Sequence, residues 1–184
     1  MTDIARFEAL VAEYQDMVFA VAVRLLGNAD EAEDVSQAVF LKAFEHFDQV
    51  ADSPALAGWL KTVATNASLN HLARYRSRWR LFSELPAEGA EAEGHPEWYI
   101  DALAAPLATV EDTIVTAERH EQLERALQSL PDHQRVPLVL FHFEDRSYQD
   151  IADTLGVSLA KVKTDIHRGR EALRKVVSGD FRSR

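Results

Sequence analysis

The chain has 184 residues, 47% hydrophobic and 27% charged, with a formal net charge of −10 and no cysteine. That balance supplies apolar surface for one or two small globular domains and excludes a disordered polyelectrolyte. The missing cysteine excludes disulfides and thiolate metal sites, and the acidic total argues against indiscriminate nucleic-acid binding, although net charge averages over the whole surface.

The opening MTDIARFEAL has neither the basic start nor the apolar run of a signal peptide, and MVFAVAV is too brief to span a bilayer. We therefore expect a soluble, cytoplasmic protein with no membrane insertion. Helical periodicity begins at about Ile4 and runs to Leu26, with Phe7, Leu10, Val11, Tyr14, Met17, Val18, Val21 and Leu25 on one face, and Gly27-Asn28 stops it. A second helix starts near Asp30, with Asp30, Glu31, Glu33 and Asp34 placed where the helix dipole favours negative charge. Val35, Val39, Phe40, Ala43, Phe44 and Phe47 are its expected buried face. After the break DQVAD, Ser53 is expected to cap a third helix, with Pro54 at the first helical position. That helix turns Trp59, Leu60, Val63, Ala64, Ala67 and Leu72 inward and ends around Arg80.

Residues 83–110 are rich in Ala, Glu, Pro and Gly and read as a flexible, acidic linker. Within it EWYIDAL is apolar enough to dock on a partner. A second helical domain starts near Glu111, with Ile114, Ala117, Leu123, Ala126, Leu127 and Leu130 as its first stripe. Pro131 separates the next helix. Pro137 inside DHQRVPLVLFHFED either kinks that helix or places its true start later.

The last stretch, SYQDIADTLGVSLAKVKTDIHRGREALRK, has the shape of a helix-turn-helix. Ile151, Ala152 and Leu155 lie at helical spacing, Gly156 and a buried Val157 make the turn, and Ser158 caps the second helix. That helix buries Val162, Ile166 and Leu173 and carries Lys161, Lys163, Thr164, His167, Arg168 and Arg170 on its other faces. Arg and Lys suit phosphates or guanine edges, and Thr suits a base or a methyl group. A solvated basic face is the alternative reading of this stretch alone. Nothing resembles a catalytic site: the seven histidines are scattered, and no H-E-x-x-H or Gly-rich phosphate loop occurs. No enzyme activity, metal or cofactor is expected.

Three stretches in order, NADEAEDVSQAVFLKAFEHFDQV, GWLKTVATNASLNHLARYRSRWR and LQSLPDHQRVPLVLFHFEDRSYQDIADTLGVSLAKVKTDIHRGREALRK, resemble the sigma-70 family, specifically its small extracytoplasmic-function (ECF) group. The resemblance implies an all-α protein of two small helical domains joined by a flexible linker, the second with a helix-turn-helix. Region 2 corresponds to residues 1–82, the linker to 83–110 and region 4 to 111–178. It implies a transcription initiation factor that binds core RNA polymerase, at the β′ coiled coil and the β flap, and directs it to promoter DNA. An anti-sigma protein is often a further partner of this group.

By the same resemblance, Asp30, Glu31, Glu33, Asp34, Val35, Gln37, Phe40 and Leu41 match the polymerase-binding helix. On charge alone a well-capped surface helix accounts for these residues equally well. Ala38 stands where the family usually has Glu, which removes one polar contact. Asn66, Asn70, Arg74, Arg76 and Arg78 match the part that melts and reads the −10 element, and Asp48 to Pro54 the loop that pockets a flipped base. The asparagines either hydrogen-bond base edges or face water, and Trp59 packs the core rather than stacking on DNA. Ser158, Lys161, Lys163, Thr164, His167, Arg168 and Arg170 match the reader of the −35 element. Asp165 stands where Arg is common, and it is expected to alter −35 preference by accepting from cytosine or by orienting a neighbouring Arg. An autonomous helix-turn-helix regulator is the competing function. It leaves the acidic second helix and the Asn/Arg third helix without a role.

Overall fold

The structure, a computed structural model, describes residues 3–73 and 121–180, the last four by backbone alone. The described residues form helices and no strand, so the all-α class stands. The chain divides into two compact units, Met1–Leu81 and Phe82–Arg184.

In the first unit α1 (Asp3–Leu26), α2 (Ala29–Glu45) and α4 (Leu56–Ala73) pack against one another, with the single turn α3 (Phe47–Val50) between the last two. Gly27 ends α1 in the left-handed region at φ 69°, where a glycine meets no steric penalty. Asn28, expected only as part of that stop, caps the next helix: its side-chain oxygen accepts from the backbone N–H of Asp30 at 2.9 Å and of Glu31 at 3.1 Å. The helix after the loop starts later than expected. Ser53 Oγ accepts from Ala55 N–H, and the Ser53 carbonyl accepts from Leu56 N–H. Pro54 and Ala55 therefore form a turn, and regular helix begins at Leu56.

The core of this unit is built from Val18, Val21 and Leu25 of α1, Val35, Val39 and Ala43 of α2, and Leu60, Ala64 and Leu72 of α4. Three aromatic expectations change, the first at Phe40, which is half-buried. Phe44 is 54% exposed, because the buried stripe of α2 runs through Ala32, Val35, Ser36, Val39 and Ala43 and leaves position 44 on the flank. Trp59 is half-buried beside the His46 ring, at the edge of the core and not inside it.

In the second unit a helix over 121–129 (α5) leads through Pro131 into α6 (Asp132–His142), α7 (Tyr148–Leu155) and α8 (Leu159–Asp180). The buried Arg135 guanidinium donates to the Leu130 carbonyl at 2.6 Å and to the Asp132 carboxylate at 2.7 Å, tying the end of α5 to the start of α6. Pro137 lies inside α6 without delaying its start, which stays at Asp132. Phe141 and Tyr148 stack with centroids 4.5 Å apart and join α6 to α7. Ser147 caps α7, Gly156 turns the chain at φ 68°, and Ser158 Oγ accepts from Lys161 N–H to open α8. Leu127, Val136, Leu138, Leu140, Ile151, Val162, Ile166 and Leu173 fill the core. Leu155 and Val157, expected inside, are half-buried at its rim.

Candidate functional site

On the first unit, α1 and α2 leave an apolar groove of about 620 Å³ between them. Phe7, Val11 and Phe19 line one wall, and Phe40, Leu41 and Phe44 the other. Glu33, Gln37, Gln15 and Asp16 add polar groups to the lining. Leu41 is 67% exposed and Phe19 38% exposed, so the groove opens to solvent. Its aromatic walls are fixed from below, since Phe7 meets Phe44 and Phe47 edge-on at 4.9 Å and 5.7 Å. An open apolar trough with acidic side chains suits an amphipathic helix that carries basic residues beside an apolar stripe.

Of the eight α2 residues singled out from the sequence, Glu33, Gln37, Phe40 and Leu41 line this groove, and Asp30 and Asp34 are exposed on the same helix. Val35 is not on that surface: it is 6% exposed and belongs to the core. Glu31 reaches the His71 ring of α4 at 3.3 Å and fastens α2 to α4. Ala38 is exposed. The groove residues Phe7, Val11, Phe19 and Phe44 were not singled out as site residues, because an apolar side chain facing a groove has the same periodicity as one facing a core.

Asn66 and Asn70 are both exposed, one turn apart on α4, away from the buried stripe of Leu60, Ala64, Ser68 and Leu72. Ser68 and Thr65 return their hydroxyls to the carbonyls of Ala64 and Lys61. The polar side chains that α4 shows to solvent on this stretch thus include the two amides. The loop before α4 is pinned to α1: Arg6 donates to Asp52 at 2.7 Å and lies over the Phe47 ring. Arg74, Arg76, Arg78 and the segment EWYIDAL lie outside the described residues.

The seven residues singled out on the helix-turn-helix separate into two groups. Ser158, His167 and Arg168 are exposed and Lys163 is half-exposed. The other three turn inward. Thr164 is 8% exposed and gives its hydroxyl to the Ala160 carbonyl at 2.9 Å. Arg170 donates through Nε to His142 Nε2 at 3.2 Å and lies over the Phe141 ring, holding α8 to α6. Lys161 Nζ is 2.9 Å from Asp165 Oδ2, and the Asp165 side chain is 3% exposed. Asp165 therefore faces the interior, which removes a direct bond to cytosine, and the cation it holds is a lysine. Leu159, 38% exposed at the start of α8, was not singled out. An apolar side chain there has the size and chemistry to meet a thymine methyl group.

Burial pushes the Asp165 carboxyl above the ordinary carboxylate range, against the hydrogen bond and charge of Lys161 and the charges of His133 and Arg168. Burial holds His133 of α6 below the ordinary histidine range; Asp165 draws it back up, while Lys161 and Arg168 push it further down. The sign follows from proton counting. Between the folded value of His133 and its ordinary 6.5, the unfolded chain holds the extra proton, so stability present above 6.5 is lost as pH falls through that window. Asp165 acts in the opposite sense, from 3.8 upward. The urea midpoint of the second unit, followed by circular dichroism between about pH 7.5 and about pH 5.5, should fall less in His133→Gln than in the wild type. Equal slopes would exclude a role for His133.

Residues 10–78 match the family described as Sigma-70 region 2, and residues 120–173 the family described as Sigma-70, region 4. The ECF RNA polymerase sigma factor SigW of Bacillus subtilis is 32% identical over 169 residues, covering 92% of this chain and 87% of that protein. The RNA polymerase sigma-H factor of Pseudomonas aeruginosa is 32% identical over 176 residues, covering 95% and 88%. A solved structure of the sigma factor RpoE in complex with the anti-sigma factor NepR from Bartonella quintana aligns over 95% of this chain and 98% of that one. The identity is 23% and the TM-score 0.48.

Proposed function

The chain belongs to the sigma-70 family, in its ECF group, and from that membership we infer that it binds core RNA polymerase and brings it to selected promoters. The observation that carries this reading is the pairing of two surfaces on one chain: an open apolar groove with acidic lining in the part matched to region 2, and a capped helix-turn-helix in the part matched to region 4. A self-sufficient DNA regulator uses only the second.

The division of work follows the chain. Residues 1–82 carry polymerase binding and −10 reading, 111–178 carry −35 reading, and 83–110 join them. The groove takes a helix of the β′ coiled coil, with Phe40 and Leu41 making apolar contacts and Glu33, Asp34 and Gln37 meeting its polar flank. Asn66 and Asn70 offer an amide donor and acceptor each to exposed base edges of the opening −10 strand, and Arg74, Arg76 and Arg78 supply phosphate contacts. The start of α8 enters the major groove at the −35 element with Ser158, Lys163, His167 and Arg168 outward.

The polymerase supplies the chemistry of RNA synthesis, and the chain supplies no catalytic group. Its place is where the polymerase is, in the cytoplasm; among the described residues no helix is long and apolar enough to cross a membrane. An anti-sigma protein is the further partner the group implies for its regulation.

Run-off transcription with reconstituted core polymerase tests the reading. Transcripts should start at discrete sites only when the chain is added. A footprint on the same DNA should require core polymerase as well as the chain. A footprint from the chain alone, with no change in start sites, would replace this reading with that of a regulator.

A further inference from the structure

Lys161 stands first in the basic series of α8, yet its side chain is only 12% exposed and its ammonium is 2.9 Å from the carboxylate of Asp165, one turn on. That carboxylate is buried against α6, where His133 faces it, and Arg168 of α8 adds a second cation nearby. For Lys161 to reach a DNA phosphate it must abandon a buried carboxylate, which is then left without its closest partner. An ion pair shut away from water is screened far less by salt or by the approaching polyanion than an exposed one.

We propose that Asp165 withdraws Lys161 from the DNA-facing surface, so that this helix reads its duplex through Ser158, Lys163, His167 and Arg168, with Lys161 acting as a structural cation. The proposal rests on the reading of α8 as the DNA-facing helix. Asp165 removes one cation from the DNA interface, the Lys161 that its carboxylate engages. The carboxylate itself does not repel phosphate, because its charge is met inside the domain. Asp165 is thus a positioning residue, acting on promoter affinity through where it holds a lysine.

Counterion release gives a readout that a purely structural role does not move. Each Lys or Arg that neutralises a phosphate of duplex DNA steepens the fall of log affinity with log salt by about 0.9. The experiment uses holoenzyme assembled with the full chain. The probe is a duplex fragment that the wild-type holoenzyme has selected from a library randomised at the −35 element. Lys163→Gln and Arg168→Gln should each flatten the slope by about 0.9. Lys161→Gln should leave it at the wild-type value. The double variant Lys161→Gln with Asp165→Asn leaves no buried charge unpaired, so it retains the fold, and it too should keep the wild-type slope. Asp165→Asn alone frees Lys161 and should steepen the slope by about 0.9.

Flattening by Lys161→Gln equal to that of Lys163→Gln overturns the proposal, and so does an Asp165→Asn slope equal to wild type. No change in Lys163→Gln and Arg168→Gln removes the DNA-facing assignment of α8 itself, and the proposal with it.

Discussion

Leu41→Asp is expected to weaken binding of the chain to core RNA polymerase by roughly 10- to 100-fold while leaving its folding stability unchanged. The two halves of that expectation come from one fact. Leu41 is 67% exposed in the free chain, so its removal takes little from the core. Covering a leucine side chain is worth about 1.5–3 kcal/mol, and a carboxylate pressed into the same contact adds a desolvation cost. Both effects fall on the complex and neither on the free fold. Val35→Ala, six residues earlier on the same helix, should do the reverse. Its side chain is buried, so about 1–2 kcal/mol of stability is lost and polymerase affinity at low temperature is kept. Titration of core polymerase with labelled chain, beside urea unfolding of each variant, separates the two. Unchanged affinity in Leu41→Asp would take the groove out of the polymerase interface.

That contrast also marks what the sequence can and cannot disclose. Both residues lie on α2, and both were candidates for the same polymerase-binding surface. Periodicity says that a residue belongs to an apolar face, but not whether that face meets the core or an open groove; Phe44 was misplaced for the same reason. Helix ends were legible where side-chain chemistry marks them: Gly27 after α1, and Gly156 and Ser158 in the helix-turn-helix. The start of α4 was two residues off because Ser53 closes a turn before it starts a helix. On α8 the basic residues were legible as a group but not as individuals. Polar side chains were all assigned outward, yet Thr164, Arg170 and Lys161 each have a partner inside the domain. For Lys161 a signal was present, since Asp165 follows at the four-residue spacing at which a helix brings opposite charges together. For Arg170 there was none, because its partner His142 is 28 positions away.

Gly169→Val should cost the second unit about 2–3 kcal/mol and abolish −35-dependent transcription before it affects polymerase binding through the first unit. Gly169 lies in the middle of α8, where glycine is the poorest choice short of proline, and an alanine in an open site there would stabilise by up to about 1 kcal/mol. The site is not open. A Cβ added at 169 would stand 2.9 Å from Leu138 Cδ1 and 3.4 Å from the Gln134 carbonyl oxygen, on the helix across which α8 packs. Leu138 is fully buried and has little room to retreat, and the carbonyl belongs to helical backbone. The glycine therefore sets how closely α6 and α8 approach, and valine adds two further carbons to the same clash. Gly58 provides the opposite case. It lies in the first turn of α4, and a Cβ there meets nothing within 4 Å, so Gly58→Ala should gain about 0.5–1 kcal/mol. Urea midpoints of Gly169→Ala, Gly169→Val and Gly58→Ala decide the matter. A Gly169→Ala midpoint raised as far as that of Gly58→Ala would mean that the two helices have room to spare, and the close crossing that presents α8 would need another cause.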